Sequence, residues 1–381
     1  MLNTTIEEAF EINPTITIKR DAEVPFLSMD RLTPGQRDVD AGEIRQFRSG
    51  SKFEAGDTLM ARITPCLENK KIARYSPNDS FNKIAAGSTE FIVLRGKPGI
   101  TTTEFSYYFA ITPTIHETAI ALMTGTSGRQ RVDLAAFRAQ EVEIPELAEQ
   151  GKITDLLGAL DDKIAANSRI IKIATHLNIN LVEKAVTKEL EHLQNLADIT
   201  MGSSPKGEFL NEEGIGEPFF QGVRDFGELF PSERVFAEKA VRTAQEGDIL
   251  FAVRAPIGEV NIAERPCVIG RGIAAIRGKQ SHLGLFYLLK GHPELWETYQ
   301  SSGTVFAGIN KSDLHNAVIP VLRDSEKLEQ QLTPIHERAM HALRENQALA
   351  RTRDELLPLL MSGRITVGEA EDAADEAASE S

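Results

Sequence analysis

Several polar stretches of this chain set Arg, Lys, Asn or Gln beside Gly, Ser or Thr, the residue mix of exposed hydrogen-bonding loops. The first runs from Arg62 to Lys71 and offers Arg62, Asn69, Lys70 and Lys71. The second, Gly125–Arg131, offers Ser127, Arg129, Gln130 and Arg131. In the second half of the chain Ser203, Ser204 and Lys206 are followed by Gln221 and Arg224. Further on, Gly303–Lys311 offers Thr304, Asn310 and Lys311, and Arg254 and Arg271 flank apolar runs. A guanidinium fork can bind two acceptors in one plane, such as guanine O6 and N7. A carboxamide can do the same with adenine, while hydroxyls and ammonium groups suit phosphate oxygens. Each stretch has a plainer reading. Gly125–Arg131 can be a solvated loop between helix and strand. The Arg62–Lys71 stretch can be a surface turn with its charge offset by Glu68. Arg254 and Arg271 can form salt bridges with Asp248 or Glu259.

No catalytic constellation stands beside these loops. The chain has no GxxxxGK[ST] phosphate loop and no Asn/Asp-Pro-Pro-aromatic step, to which Asn13-Pro14-Thr15 is only a partial likeness. Paired carboxylates with a Lys do not rise above background. His336 and His341 miss the i, i+4 spacing of a helical metal pair, and the two Cys, Cys66 and Cys267, have no CxxC partner, so metal ligands are expected to be none. Trp296 and the aromatics near Tyr107 and Phe286 read as core. No apolar run reaches the ~18 residues of a membrane span, and the amino-terminal segment lacks a basic stretch followed by an apolar one. A cytoplasmic protein with no membrane contact is expected. The formal charge is −14, of which 363–381 alone carries −5, so the rest is near-neutral to mildly acidic. Contact with nucleic acid would therefore run through local basic patches and with the help of partners.

Two long helical patterns must position these loops. Between Lys152 and Leu190, apolar residues fall at Leu157, Leu160, Ile164, Ile171, Ala174, Leu181 and Ala185, alternating by threes and fours. The second pattern, Ser325–Met361, has Leu328, Leu332, Ile335, Ala339, Ala342, Leu349, Leu356 and Leu360, with Pro334 and Pro358 expected to bend or delay it. An antiparallel pairing sets Leu157 against Leu356 and Ile164 against Leu349, and it predicts that Asn167 meets Asn346 and fixes the register.

The segments between these helices repeat each other. Pro25-Phe26-Leu27 answers Pro218-Phe219-Phe220; Phe53–Pro65 answers Ala244–Pro256; Leu94–Lys97 answers Ile276–Lys279; Gly125-Thr126 answers Gly303-Thr304. A helix with paired aromatics follows the third match in both, and each repeat closes on an Ile-Pro step, Ile144-Pro145 and Ile319-Pro320. The expected fold is α+β: two similar mixed α/β modules, 1–145 and 191–322, related by a pseudo-twofold. Helices 146–190 and 323–362 form the antiparallel two-helix coiled coil between them, and an acidic tail, 363–381, is expected to be disordered.

The ending Arg353–Gly363 closely resembles the distal repeat of the specificity subunits of type I restriction-modification systems, with Leu359 where a Lys is frequent. Ile63–Ala73 and Gly87–Arg95 are similar to one target-recognition domain of that family. Met201–Gly222, Gly247–Ala263 and Cys267–Arg277 are similar to another. The resemblance implies a noncatalytic subunit whose two target-recognition domains each read one half of a bipartite double-stranded DNA target. It implies helices that space the half-sites and dock two modification (methyltransferase) subunits, with two restriction (motor-endonuclease) subunits completing the complex. S-adenosylmethionine, ATP and Mg would be bound by those partners, and none by this chain. The polar loops named above then become the DNA-contacting candidates. The competing reading is a noncatalytic coiled-coil adaptor, an orphan or inhibitory subunit that binds protein; the acidic balance is its one support. A stand-alone methyltransferase or nuclease is disfavoured by the missing motifs.

Overall fold

The computed structural model describes residues 1–79, 83–126, 128–300 and 308–371. The chain divides into two compact units, Met1–Asn167 with Arg344–Ser381, and Ser168–Leu343.

In the first unit the apolar run expected at Lys83–Leu94 breaks at a turn into two strands, Ile84–Gly87 and Phe91–Gly96. Gly56 (φ +97°) divides Phe53–Ile63 in the same way, into Ser51–Glu54 and Thr58–Ala61. One sheet runs Phe10–Ile12, Phe91–Gly96, Thr58–Ala61, Ile72–Tyr75, Asp38–Val39; the other runs Glu43–Gln46, Glu23–Leu27, Ile84–Gly87, Ser51–Glu54. The helical pattern from Thr103 to Met123 is two helices, Thr103–Ile111 and Pro113–Ala121. Thr102 caps the first through its side chain, and Pro113 opens the second, where its missing N–H costs nothing.

The second unit repeats this topology. Its central sheet runs Ala197–Met201, Ile273–Gly278, Ile249–Ala252, Val260–Ile262, strand for strand the order of the first four above. The parallel pair Glu23–Leu27 with Ile84–Gly87 reappears as Glu217–Phe220 with Cys267–Ile269. Each Gly-Asp turn buries its aspartate against an arginine of the neighbouring strand: Asp57 Oδ1 lies 2.7 Å from Arg95 Nε, and Asp248 Oδ1 lies 2.6 Å from Arg277 Nε. Asp248 is thus taken by Arg277. The salt bridges considered for Arg254 and Arg271 with Asp248 do not form.

The long helices are Leu147–Ala185 and Ser325–Met361. The first begins earlier than its apolar pattern and ends at Ala185, because Val186–His192 pairs as a strand with Val318–Leu322. Neither Pro334 nor Pro358 ends the second helix. In the first unit, Leu157, Leu356, Leu357 and Leu360 pack into a common core with Phe105 and Tyr108. In the second unit, Ile171, Ala174, Val182, Leu328, Leu332, Ala339 and Ala342 do so with Phe286 and Tyr287.

The antiparallel register is close to the expected one, but Asn167 does not meet Asn346. The Asn167 amide donates to Glu345 Oε2 at 2.7 Å, and the Asn346 amide to the Ile164 carbonyl at 3.2 Å. A knob-into-hole seam sets each side chain between residues of the facing helix, which accounts for each Asn bonding to a neighbour of the other. A pair missed by the periodicity reading lies about two turns away. Arg353 Nη1 reaches Asp161 Oδ1 at 2.7 Å, both nearly inaccessible, while the Tyr108 hydroxyl donates to Asp161 at 2.7 Å.

The tail expectation is corrected for 363–371. Thr366 and Glu369 cap each other, and Val367 and Ala370 are buried in the first unit's core. Residues 372–381 lie outside the described set.

Candidate functional site

In the first unit the two candidate stretches come together. The turn after the strand Thr58–Ala61 contains the cis peptide Thr64–Pro65. Thr64 N–H donates to the Gln130 carbonyl, and Gln130 N–H to Thr64 Oγ1, both at 3.1 Å. Val132 N–H donates to the Arg62 carbonyl at 2.9 Å. Buried His116 holds the turn from below, its Nε2 2.7 Å from the Leu67 carbonyl. Nothing in the sequence pattern had singled out His116.

Across this junction Arg131 grips Glu90, with Nε 3.0 Å from each carboxylate oxygen and Nη2 2.7 Å from Oε1. Arg62 Nε stands 4.0 Å from the same carboxylate, and the Arg62 backbone N–H donates to the Glu90 carbonyl at 2.9 Å. The Arg131 hydrogen bonds hold Glu90 below the ordinary carboxylate range, against the smaller opposing effect of burial. Lys71 donates to the Met29 carbonyl at 3.0 Å. Asn69 and Lys70 are exposed on the turn, Lys70 with a left-handed φ of 52°. Arg129 is exposed on the hairpin between Met123–Thr124 and Arg131–Val132, and Ser127 lies outside the described residues.

The second unit builds the corresponding corner from the same backbone. Ala255–Pro256 is cis. Val253 N–H donates to the Gly272 carbonyl and Ile309 N–H to the Val253 carbonyl, both at 2.9 Å, and Arg254 forms an antiparallel bridge with Gly308. These bonds set the true equivalence. Val253 takes the place of Arg62, and Arg254 that of Ile63, which bridges Arg131 in the first unit. The register agrees with the match of Phe53–Pro65 to Ala244–Pro256, and it shows that the arginine each span contains, Arg62 or Arg254, stands one residue apart in the two repeats. A one-residue step along a strand turns a side chain to the opposite face.

Ser203, Ser204, Gln221 and Arg271 converge at this corner. Ser204 Oγ accepts the Arg271 N–H at 3.2 Å and donates to Gln221 Oε1 at 2.7 Å. Ser203 N–H donates to the Ile269 carbonyl at 2.9 Å. Arg254 and Arg271 are exposed, and no acidic side chain pairs with either among the described residues. Arg224 is exposed on the turn Val223–Asp225. Lys206 is exposed, 3.9 Å from Glu208. Asn310 is committed to a structural bond: its Oδ1 accepts Asp313 N–H at 3.0 Å and caps the helix Lys311–Asn316, which leaves Lys311 exposed at that helix's first position. Thr304 lies outside the described residues.

Residues 67–175 and 186–331 match the family described as the type I restriction modification DNA specificity domain. The chain belongs to that family. Among its curated relatives is the putative type I restriction enzyme MjaX specificity subunit of Methanocaldococcus jannaschii. It is 29% identical over 255 residues, which cover 60% of this chain and 60% of the relative. The type I restriction enzyme EcoAI specificity subunit of Escherichia coli is 26% identical over 235 residues, covering 60% of this chain and 37% of the relative. The chain thus spans well under two thirds of the length of these relatives. A crystal structure of the type I restriction-modification system S subunit from M. genitalium shares the fold, with a TM-score of 0.58 at 16% identity, covering 94% of this chain and 96% of that one. Each specificity-domain match falls largely on one repeat, and the matches include Lys70, Arg129, Gln221 and Arg271.

Proposed function

We propose that the chain is the sequence-specific DNA-recognition subunit of a type I restriction-modification complex, the two repeats acting as target-recognition domains for the two halves of a bipartite target. The observation that carries this reading is the duplicated corner. One backbone arrangement, a cis-Pro turn bonded to the turn between two strands and bridged to a later segment, occurs in both repeats with different polar side chains on it. Two copies of one scaffold bearing different hydrogen-bonding groups suit the reading of two different sequences.

In this reading the long helices set the spacing of the half-sites and dock two modification subunits, with two restriction subunits joining the full assembly. The chain itself is noncatalytic. S-adenosylmethionine, ATP and Mg would belong to the partners, and the whole complex would work in the cytoplasm, where its double-stranded DNA is. The specificity-subunit names of the relatives support this role, and nothing among them favours a protein-binding adaptor.

The test is reconstitution with the modification subunits on unmethylated genomic DNA, followed by mapping of methylated adenines. A two-part motif with a fixed gap is expected, together with a gel shift that strengthens when the modification subunits are added. Methylation or binding without sequence preference would overturn the reading.

A further inference from the structure

The turn that faces the cis-Pro corner has the same construction in both repeats and opposite chemistry. In the first, Ser88 N–H donates to the Leu27 carbonyl at 3.2 Å and Phe91 N–H to the Ser88 carbonyl at 3.3 Å. In the second, Gly270 N–H donates to the Phe220 carbonyl at 2.9 Å and Ile273 N–H to the Gly270 carbonyl at 3.0 Å. Thr89 and Glu90 therefore occupy the places of Arg271 and Gly272. In the first unit the turn's charge, Glu90, is closed off by Arg131 and Arg62. In the second, the partners of that cluster have become Gly272, Gly308 and Val253, and cations stand one residue away, at Arg254 and Arg271.

The second turn is also built to hold its side chains still. A Cβ on Gly270 would fall 2.5 Å from Gln221 Oε1, and one on Gly272 would fall 2.3 Å from the Gln221 carbonyl. Gly272 is therefore required for the turn's backbone to lie against Gln221, and a side chain at 270 would displace the Gln221 carboxamide. Ser204 links the two, accepting from the Arg271 backbone and donating to Gln221 Oε1, and the Gln221 amide nitrogen has no hydrogen-bond partner among the described residues. The result is an anchored backbone that carries an exposed guanidinium, with no acidic side chain paired to it among the described residues, beside a carboxamide oriented by Ser204.

We infer that Arg271, with Gln221 beside it, is the base-reading residue of the second repeat and takes a guanine through its paired O6 and N7 acceptors. This rests on the DNA-recognition reading above. Two scaffolds alike in backbone can prefer different bases only through side chains that differ, and Arg271 against Thr89 is such a difference at the tip of the shared turn. A planar fork suits two acceptors on one base edge; it fits a phosphate as well, but a phosphate contact is the same for every sequence and cannot set a base preference.

The experiment uses the full chain reconstituted with its modification subunits, comparing wild type, Arg271→Lys and Arg271→Ala by adenine-methylation mapping on unmethylated genomic DNA. Both variants are expected to lose preference for a G at one position of one half-site, by about ten- to a hundredfold, with the other half-site unchanged. The thermal midpoints of both should match wild type, since Arg271 is exposed on a turn. An Ala variant that keeps the wild-type motif while methylation weakens equally at all sites would assign Arg271 to a phosphate and overturn the inference, as would a motif and rate unchanged in both variants. A wild-type complex that methylates without a motif would instead overturn the DNA-recognition reading itself.

Discussion

Asp38 sits between two guanidiniums, with Arg37 Nη2 and Arg74 Nε each 2.7 Å from its oxygens, and Arg37 reaches on to the Gly158 carbonyl at 3.1 Å. Burial alone would push the Asp38 carboxyl up, but hydrogen bonds from Arg74 and Arg37 outweigh it and hold the carboxyl below its usual range. A carboxyl depressed in the folded state contributes stability that is present above its unfolded pKa, about 3.9, and is lost as pH falls through the lower folded value. Asp38→Asn should therefore lower stability at pH 7 and flatten its decline between about pH 5 and pH 2. Urea unfolding across that range checks this, and parallel curves for the two proteins would refute it. Charge pairs of this kind set the limit of the sequence reading at the residue scale. Arg131 and Asn310 look as available in the sequence as Arg129 and Lys311. Arg131 is held by Glu90, a residue 41 positions away, and Asn310 caps its own helix. Side-chain type was legible; occupancy was not, because it depends on partners brought in by the sheet.

Among the elements, the long helices were the most legible, since their apolar seams persist over many turns and follow one period. Their ends were less so. The first helix stops at Ala185 because Val186–His192 finds a partner strand, a long-range pairing that helical periodicity cannot register. Conversely, Pro334 reads as a break and is not one. It lies inside Ser325–Met361 on an exposed position, while Leu332, Ile335 and Ala339 keep the seam packed around it. Packing thus offsets the helix cost of about 3 kcal/mol that an interior proline carries. Pro334→Ala should recover part of that cost, less the ~0.4–1 kcal/mol that a freer unfolded chain takes back, for a net gain of about 1–2 kcal/mol. The measurement is the urea midpoint of the full chain. A loss of stability would show that the helix depends on the proline's fixed φ. The repeat was also legible as an order of motifs, and the equal spans Phe53–Pro65 and Ala244–Pro256 carry its register at the cis-Pro corner. What the sequence did not carry is the consequence of the one-residue offset between Arg62 and Arg254: the bridges Ile63–Arg131 and Arg254–Gly308 show which backbone each of them joins.

For the molecule as a whole, the duplicated fold and the family give the long helices a task that neither unit's packing requires. If the helices set the gap between half-sites, the gap must follow helix length in whole turns. A seven-residue insertion keeps the apolar seam in phase, whereas an insertion of three or four residues shifts the apolar face relative to its partner. Placing one heptad in each long helix, in the polar stretch around Asn167 and Glu345, lengthens both by about 10 Å at 1.5 Å per residue. At about 3.4 Å per base pair this corresponds to roughly three base pairs of DNA. The doubly extended chain, reconstituted with the modification subunits, should methylate the two half-site sequences of the wild type with the gap between them longer by about three base pairs. Extending one helix alone should unfold the seam or abolish methylation, because the antiparallel partners no longer match in length. A doubly extended protein that is folded and active with an unchanged gap would remove the spacing role from the helices. The distance would then have to be set by the target-recognition domains themselves, through contacts with DNA between the half-sites.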